Sequence, residues 1–196
     1  MEEITGPLST PAAFNSSEVG RPDKQIIASP YYRGVAAVSN EEYRELKIWL
    51  TETGYETVTI DFTHGLASGI DQMNNIFRWE EQFGYTLSLK RRNLDAINDG
   101  FGFDVSGYGL LLEIVGAEVA WRDDRRWFKG LLSIASDHSH SHLSVGNRFL
   151  TVVPVQSYDS PLVGKLIHKQ RLGWYWRGYS AWPPARKREI DRIVLL

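Results

Sequence analysis

The sequence predicts an α/β protein, with a small, mainly parallel β-sheet and flanking helices. Three observations carry this expectation. Strand-like and helix-like stretches alternate along residues 34–156, the order that places helical crossovers between parallel strands. One strand candidate, "GYGLLLEIVG" (107–116), is a continuous apolar run bounded by glycines, as expected of a strand covered on both faces. The chain has 196 residues, 42% hydrophobic and 23% charged. That is enough to bury a core without a metal or disulfide for size alone.

The elements follow in order. Residues 1–24 are rich in Pro, Ser, Thr and Gly and read as a flexible N-terminal arm. Residues 25–55 read as a βα addition. In it "GVAAVS" (34–39) is a short buried strand and "SNEEYRELKIWLTETG" (39–54) a helix. Ser39 or Asn40 caps that helix, acids fill its first turn, Tyr43, Leu46 and Leu50 form its stripe with Trp49 close by, and Gly54 stops it. "ETVTIDF" (56–62) alternates Val58, Ile60 and Phe62 and is a strand. "SGIDQMNNIFRWEEQFG" (68–84) reads as one helix on Ile70, Met73 and Ile76 or Phe77, closed by Gly84. A loop, "YTLSLKRR", leads to a short helix within "RRNLDAINDGFGF" (91–103). After strand 107–116, "DDRRWFKGLLSIASDH" (123–138) is helical, with Asp123 or Asp124 at its start and Trp127, Leu131 and Ile134 facing inward. "RFLTVVPVQ" (148–156) is a further strand. Residues 157–196 form an aromatic, basic extension holding three of the seven tryptophans and broken at Pro183-Pro184. No internal repeat or low-complexity tract is present.

The chain has no cysteine, which excludes disulfides, zinc–thiolate sites and cysteine nucleophiles. Its start, "MEEITGPLSTPAAF", has two acids and no apolar run, unlike a secretory signal. No segment approaches the roughly 20 apolar residues that span a bilayer. A soluble, cytoplasmic protein with no membrane partner is expected. The net charge of −2 hides an asymmetry: residues 161–196 hold eight Lys/Arg against Glu189 and Asp191, a balance of +6, so residues 1–160 carry −8. An acidic body attracts a basic partner and speeds its approach, though moderate acidity also simply keeps a protein soluble. The cationic end docking on the acidic body of a second copy would give a homodimer.

Within "RRNLDAINDGFGF", Leu94, Ile97 and Phe101 recur at i, i+3 and i+7 and face one side of a helix. Asp95 and Asp99 share another stripe, with Asn98 beside them. Like charges at i, i+4 cost an isolated helix about 0.2–0.5 kcal/mol. Asp95 near the N-terminus is favoured by the macrodipole by about 0.3–1 kcal/mol, with no partner required. The pair is therefore either incidental or has a use.

Asn93-Leu94-Asp95-Ala96, with Asp99 four positions after Asp95, follows a helix ending near Phe83-Gly84 and precedes the apolar strand 110–115. With the order strand, helix, loop, short helix, strand, helix, strand over residues 56–156, this resembles the barstar family of intracellular ribonuclease inhibitors. The resemblance covers roughly half the chain. It implies a barstar-like domain at 56–156 whose loop and short helix form an inhibitory surface. Asp99 matches the aspartate that plugs the nuclease's cationic phosphate pocket, Asp95 the supporting one, and Asn93 the asparagine that opens the helix and touches the partner. Asn98 stands where the family usually has a tryptophan, and Phe101 or Phe103 would supply the aromatic contact instead. The implied partner-binding residues are Asn93, Asp95, Asn98, Asp99, Gly102 and Phe103. Leu89, Lys90, Arg91 and Arg92 replace the family's aromatic and small residues before the motif, and a family glutamate on a later helix has no match. The implied partner is a protein toxin, a basic nuclease or similar, blocked without catalysis and without a cofactor. Close charge pairs in the barnase–barstar complex couple by about 1.5–7 kcal/mol.

Three other constellations compete. "DHSHSH" (137–142) would line His138, His140 and His142 along one face of a strand, as a Zn, Ni or Cu site needs. In a helix only His138 and His142 align. The stretch falls where a polar loop is expected, and no matching carboxylate cluster accompanies it, so no metal is expected there. His64, past the end of a strand beside Asp61, has the placing of a general base, but no nucleophile motif accompanies it. "GWYWRGYSAW" with "ARKR" interleaves aromatic and basic groups, the ingredients of a module binding single-stranded nucleic acid. That is the alternative function, and packing of the tryptophans as a satellite core is the simpler expectation.

Overall fold

The computed structural model describes Asp23, residues 34–103, 105, 109–157 and 159–163, and the backbone of 166–167, 170–171 and 173–174. β1 (Val35–Ser39) runs directly into α1 (Asn40–Glu52). The turn works because Ser39 is extended and its Oγ accepts from Glu42 N at 3.2 Å, satisfying a donor the first turn would leave bare. β2 (Tyr55–Asp61), α2 (Leu66–Ile76), α3 (Trp79–Phe83), α4 (Leu94–Gly100), β3 (Gly109–Val115), α5 (Ala117–Asp123), α6 (Arg125–Ser144) and β4 (Phe149–Val155) follow. Three two-residue strands close the described chain: β5 (Leu166–Ile167), β6 (Gln170–Arg171) and β7 (Gly173–Trp174).

The main sheet has the order β2-β3-β4-β1-β7 and every pair in it is parallel. β5 and β6 pair antiparallel as a separate hairpin. The chain is thus an α/β protein, and β1 of the N-terminal stretch is an inner strand of the same sheet. Strand alternation sends Ala36, Val38, Leu111, Leu150 and Val152 to one face, where α1 covers them with Tyr43, Leu46 and Leu50. Val35, Ala37, Leu110, Leu112, Ile114, Phe149 and Val153 go to the other face, packed by α2 to α6. Covering both faces explains why β3 and β4 are almost wholly apolar. Glu113 is the exception on the α1 face, held by Lys47 Nζ and Thr59 Oγ1, both at 2.8 Å. Burial first, and the charge of Glu113 next, push the Tyr43 phenol well above its usual value.

The structure adds to or departs from the sequence reading at four places. The helix expected over 68–84 is two helices, because Arg78 adopts a left-handed conformation (φ 48°) between α2 and α3. That conformation costs about 1–2 kcal/mol. A continuous helix would point Phe77 and Trp79 to nearly opposite sides, whereas the break buries both, and each buried large side chain returns about 1.5–3 kcal/mol. α5 was not expected; its seven residues are too few to display a stripe, and only Ala117 and Ala120 are buried. α6 does not stop at His138 but continues to Ser144, so the histidine stretch is helix rather than loop. Packing overrides the weak propensity of its serines and histidines: Ser139 is fully buried, its Oγ 2.7 Å from Thr151 Oγ1. Finally, Asp23, inside the expected flexible arm, is fully buried beside Tyr55 and Arg148.

Candidate functional site

α4 and the turn before it form the candidate site. Asn93 is extended (φ −61°, ψ 127°), and its side chain accepts from Asp95 N at 3.0 Å, so it caps the helix. Ile97, Gly100 and Phe101 face inward and are buried. Asn93, Asp95, Asn98 and Asp99 are exposed. Among the described residues neither Asp95 nor Asp99 has an ion pair. Gly102 is exposed just beyond the helix, whereas Phe103 is half-buried. Its ring packs against Phe77, Phe101 and Phe149, with centroids 5.0–5.3 Å apart. Phe103 thus belongs mainly to the cluster behind the helix, and the other five expected site residues share the outer surface.

Two small residues let α4 sit close to its support. A Cβ on Gly100 would come within 2.6 Å of Trp79 Cζ3, and one on Gly130 of α6 would overlap Leu94. Both ends of the segment are tied to α6. At the N-terminal end Arg92 donates to Asp124 Oδ2 at 2.8 Å, stacks over Trp127 with Cζ 5.2 Å from the ring, and its carbonyl accepts from Trp127 Nε1 at 2.9 Å. Asp124 also caps α6, its Oδ1 accepting from Trp127 N at 3.0 Å. The Trp127 amide first, then Arg92, hold its carboxyl below the usual range. Of the three cations preceding the motif, Arg92 is therefore turned to Asp124, and it neutralises neither Asp95 nor Asp99. No sequence signal links positions 92 and 124.

At the C-terminal end α4 rests on His138 of α6. His138 packs on Phe101, the residue that ends α4, with centroids 5.0 Å apart. His142, one turn on, packs on Phe149 at 5.1 Å and lies 3.5 Å from Asn147 Nδ2 through its Nδ1. Burial is the first cause lowering the basicity of both imidazoles; Asn98 and Asp137 oppose it at His138, and His138 reinforces it at His142. In the unfolded chain these histidines titrate near 6.5. As the folded values lie lower, the unfolded chain binds more protons in the interval between, so stability is full above about pH 6.5 and falls as the pH drops through that interval. Melting temperatures between about pH 7.5 and 5 are expected to fall, and His138→Gln/His142→Gln is expected to flatten that part of the curve.

His138, His140 and His142 do not share a face, and among the described residues no group of three or more His, Asp or Glu gathers as a metal site. His64 is exposed in the turn after β2, and no hydrogen bond to it occurs among the described residues. Its neighbour Asp61 instead accepts from Thr63 N at 2.7 Å and from the Thr63 hydroxyl, which is the first cause holding its carboxyl low. The aromatic and basic tail from residue 175 onward lies outside the described residues. Among the described residues no helix is long and apolar enough to cross a membrane. In comparisons with known proteins, no family model, curated protein or solved structure matches the chain.

Proposed function

We propose that this chain is a cytoplasmic immunity protein or antitoxin that binds a nuclease-type toxin and blocks its cationic active site, using Asp95 and Asp99 and no chemistry of its own. The observation that supports this reading best is the arrangement of α4. Asp95, Asn98 and Asp99 stand exposed together, while the segment is tied to α6 by Arg92–Asp124 at one end and packs through Phe101 on His138 at the other. Such fixed carboxylates lose little freedom on binding, which is where affinity is usually lost. Spaced one helical turn apart, they offer acceptors to the Arg, Lys and His that a nuclease aims at successive phosphates. The −8 balance of residues 1–160 favours encounter with a basic enzyme. The likeness of the Asn93–Asp99 motif and of the element order to the barstar family points the same way.

The test is an inhibition titration against purified bacterial nuclease-toxin domains. One of them is expected to lose its nuclease activity completely at one molar equivalent of this chain. If every domain keeps full activity at a large excess, the reading fails.

A further inference from the structure

We infer that the turn ahead of α4 is a second, oppositely charged half of the same binding surface, so that the partner nuclease presents a carboxylate beside its phosphate pocket. This rests on the inhibitory reading above and extends it from a purely acidic footprint to a mixed one. The turn is Ser88–Arg91, closed by two backbone hydrogen bonds of 3.0 Å between Ser88 and Arg91 and a third, at 3.2 Å, from Arg91 N to Ser88 Oγ. Its base is clamped. Asn74 takes both backbone groups of Leu87, at 2.7 and 3.0 Å, and Arg92 Nε donates to the Leu89 carbonyl at 2.9 Å. An exposed turn held this firmly is preorganised, and what it holds out is not a solvating surface. Leu89 is 51% exposed, one of three large hydrophobic side chains so exposed among the described residues. Lys90 and Arg91 are exposed, and neither side chain has an ion pair or hydrogen bond among the described residues.

Two unpaired cations and a bare leucine lie within four residues of Asn93 in the chain, and the exposed Asp95 and Asp99 follow within six. Against a uniformly basic enzyme Lys90 and Arg91 would oppose binding. Against a nuclease whose general base is a carboxylate they do not, because such a site sets that carboxylate beside the cations that hold the phosphate. The two signs on this surface complement those two neighbouring groups, and Leu89 would cover the apolar ground between them, excluding water from both pairs.

The probe is a panel of purified bacterial nuclease-toxin domains, each inactivated by replacing a catalytic histidine so that its carboxylates stay in place, with binding followed by surface plasmon resonance. For a domain that binds the wild-type chain and loses affinity with Asp95→Asn/Asp99→Asn, the double reversal Lys90→Glu/Arg91→Glu is expected to weaken binding at least tenfold, and Leu89→Ser to shorten the lifetime of the complex. If the double reversal leaves affinity unchanged, or speeds association and tightens binding, the mixed footprint is wrong while the inhibitory reading stands. If no domain binds the wild-type chain, both fall together.

Discussion

Replacing Asp95 and Asp99 together by asparagine is expected to weaken toxin binding about a thousandfold while leaving the fold unchanged. Truncating one member of a buried, hydrogen-bonded interfacial charge pair costs about 2–5 kcal/mol. Two such losses on one turn of helix are not independent, so about 4 kcal/mol for the pair, or roughly a thousandfold, is the expected sum. The loss should appear mainly in the dissociation rate. Stability is expected to move little. Relief of the i, i+4 repulsion returns about 0.2–0.5 kcal/mol, and the lost interaction of Asp95 with the helix N-terminus removes about 0.3–1 kcal/mol. The Asn93 cap, which bonds the Asp95 backbone and not its side chain, is untouched. Calorimetric titration with thermal melts of both proteins separates the two quantities, and equal affinities for wild type and variant would remove Asp95 and Asp99 from the site.

Arg148→Met is expected to lower the free energy of unfolding by about 3–5 kcal/mol, the usual cost of removing one member of a buried ion pair. The Arg148 side chain is 1% exposed and Asp23 is not exposed at all, with Nη1 3.8 Å from the carboxylate and the Tyr55 hydroxyl donating to it at 2.7 Å. Without the guanidinium, Asp23 loses the cation beside it. Removing both charges, as Asp23→Leu/Arg148→Met, is expected to recover most of the loss, since apolar replacement of a whole buried pair is often neutral or better. Guanidinium unfolding of the three proteins measures this cycle. A single-variant cost below about 1 kcal/mol, the range of surface pairs, would mean that Asp23 is not buried against Arg148 in solution. The same cycle reports whether the N-terminal stretch is fastened to the sheet, because β4 begins at the next residue, Phe149.

Most of the sheet is legible in the sequence: β1, β3 and β4 are buried on both faces and so carry apolar runs, while β2, at the edge, shows itself by alternation. The exposure of Asp95, Asn98 and Asp99 is legible for a similar reason: Leu94, Ile97 and Phe101 repeat at helical spacing and leave those three outside. What stays hidden depends on contacts between distant residues. Nothing local marks Arg78 as left-handed, since the gain that drives it is the burial of Phe77 and Trp79 in the folded core. The serine and histidine stretch of α6 has loop-like composition and is helical because Ser139, His138 and His142 find partners on β4 and beside α4. Arg92 reads as one of three equivalent cations until Asp124, thirty-two positions on, takes it out of the set. Asp23 reads as part of a polar arm until Arg148 and Tyr55 are placed around it.

The central claim is that Asp95 and Asp99 occupy the place of a nucleic acid's phosphates. Its most direct test is the form of the inhibition: initial rates of the sensitive nuclease measured over a matrix of inhibitor and oligonucleotide concentrations, beside a binding assay in which a non-cleavable oligonucleotide competes with this chain. The account predicts strict competition, with the apparent inhibition constant rising in proportion to oligonucleotide concentration and no ternary complex at any ratio. A stable complex of nuclease, oligonucleotide and this chain, or inhibition that saturating oligonucleotide does not relieve, would contradict it.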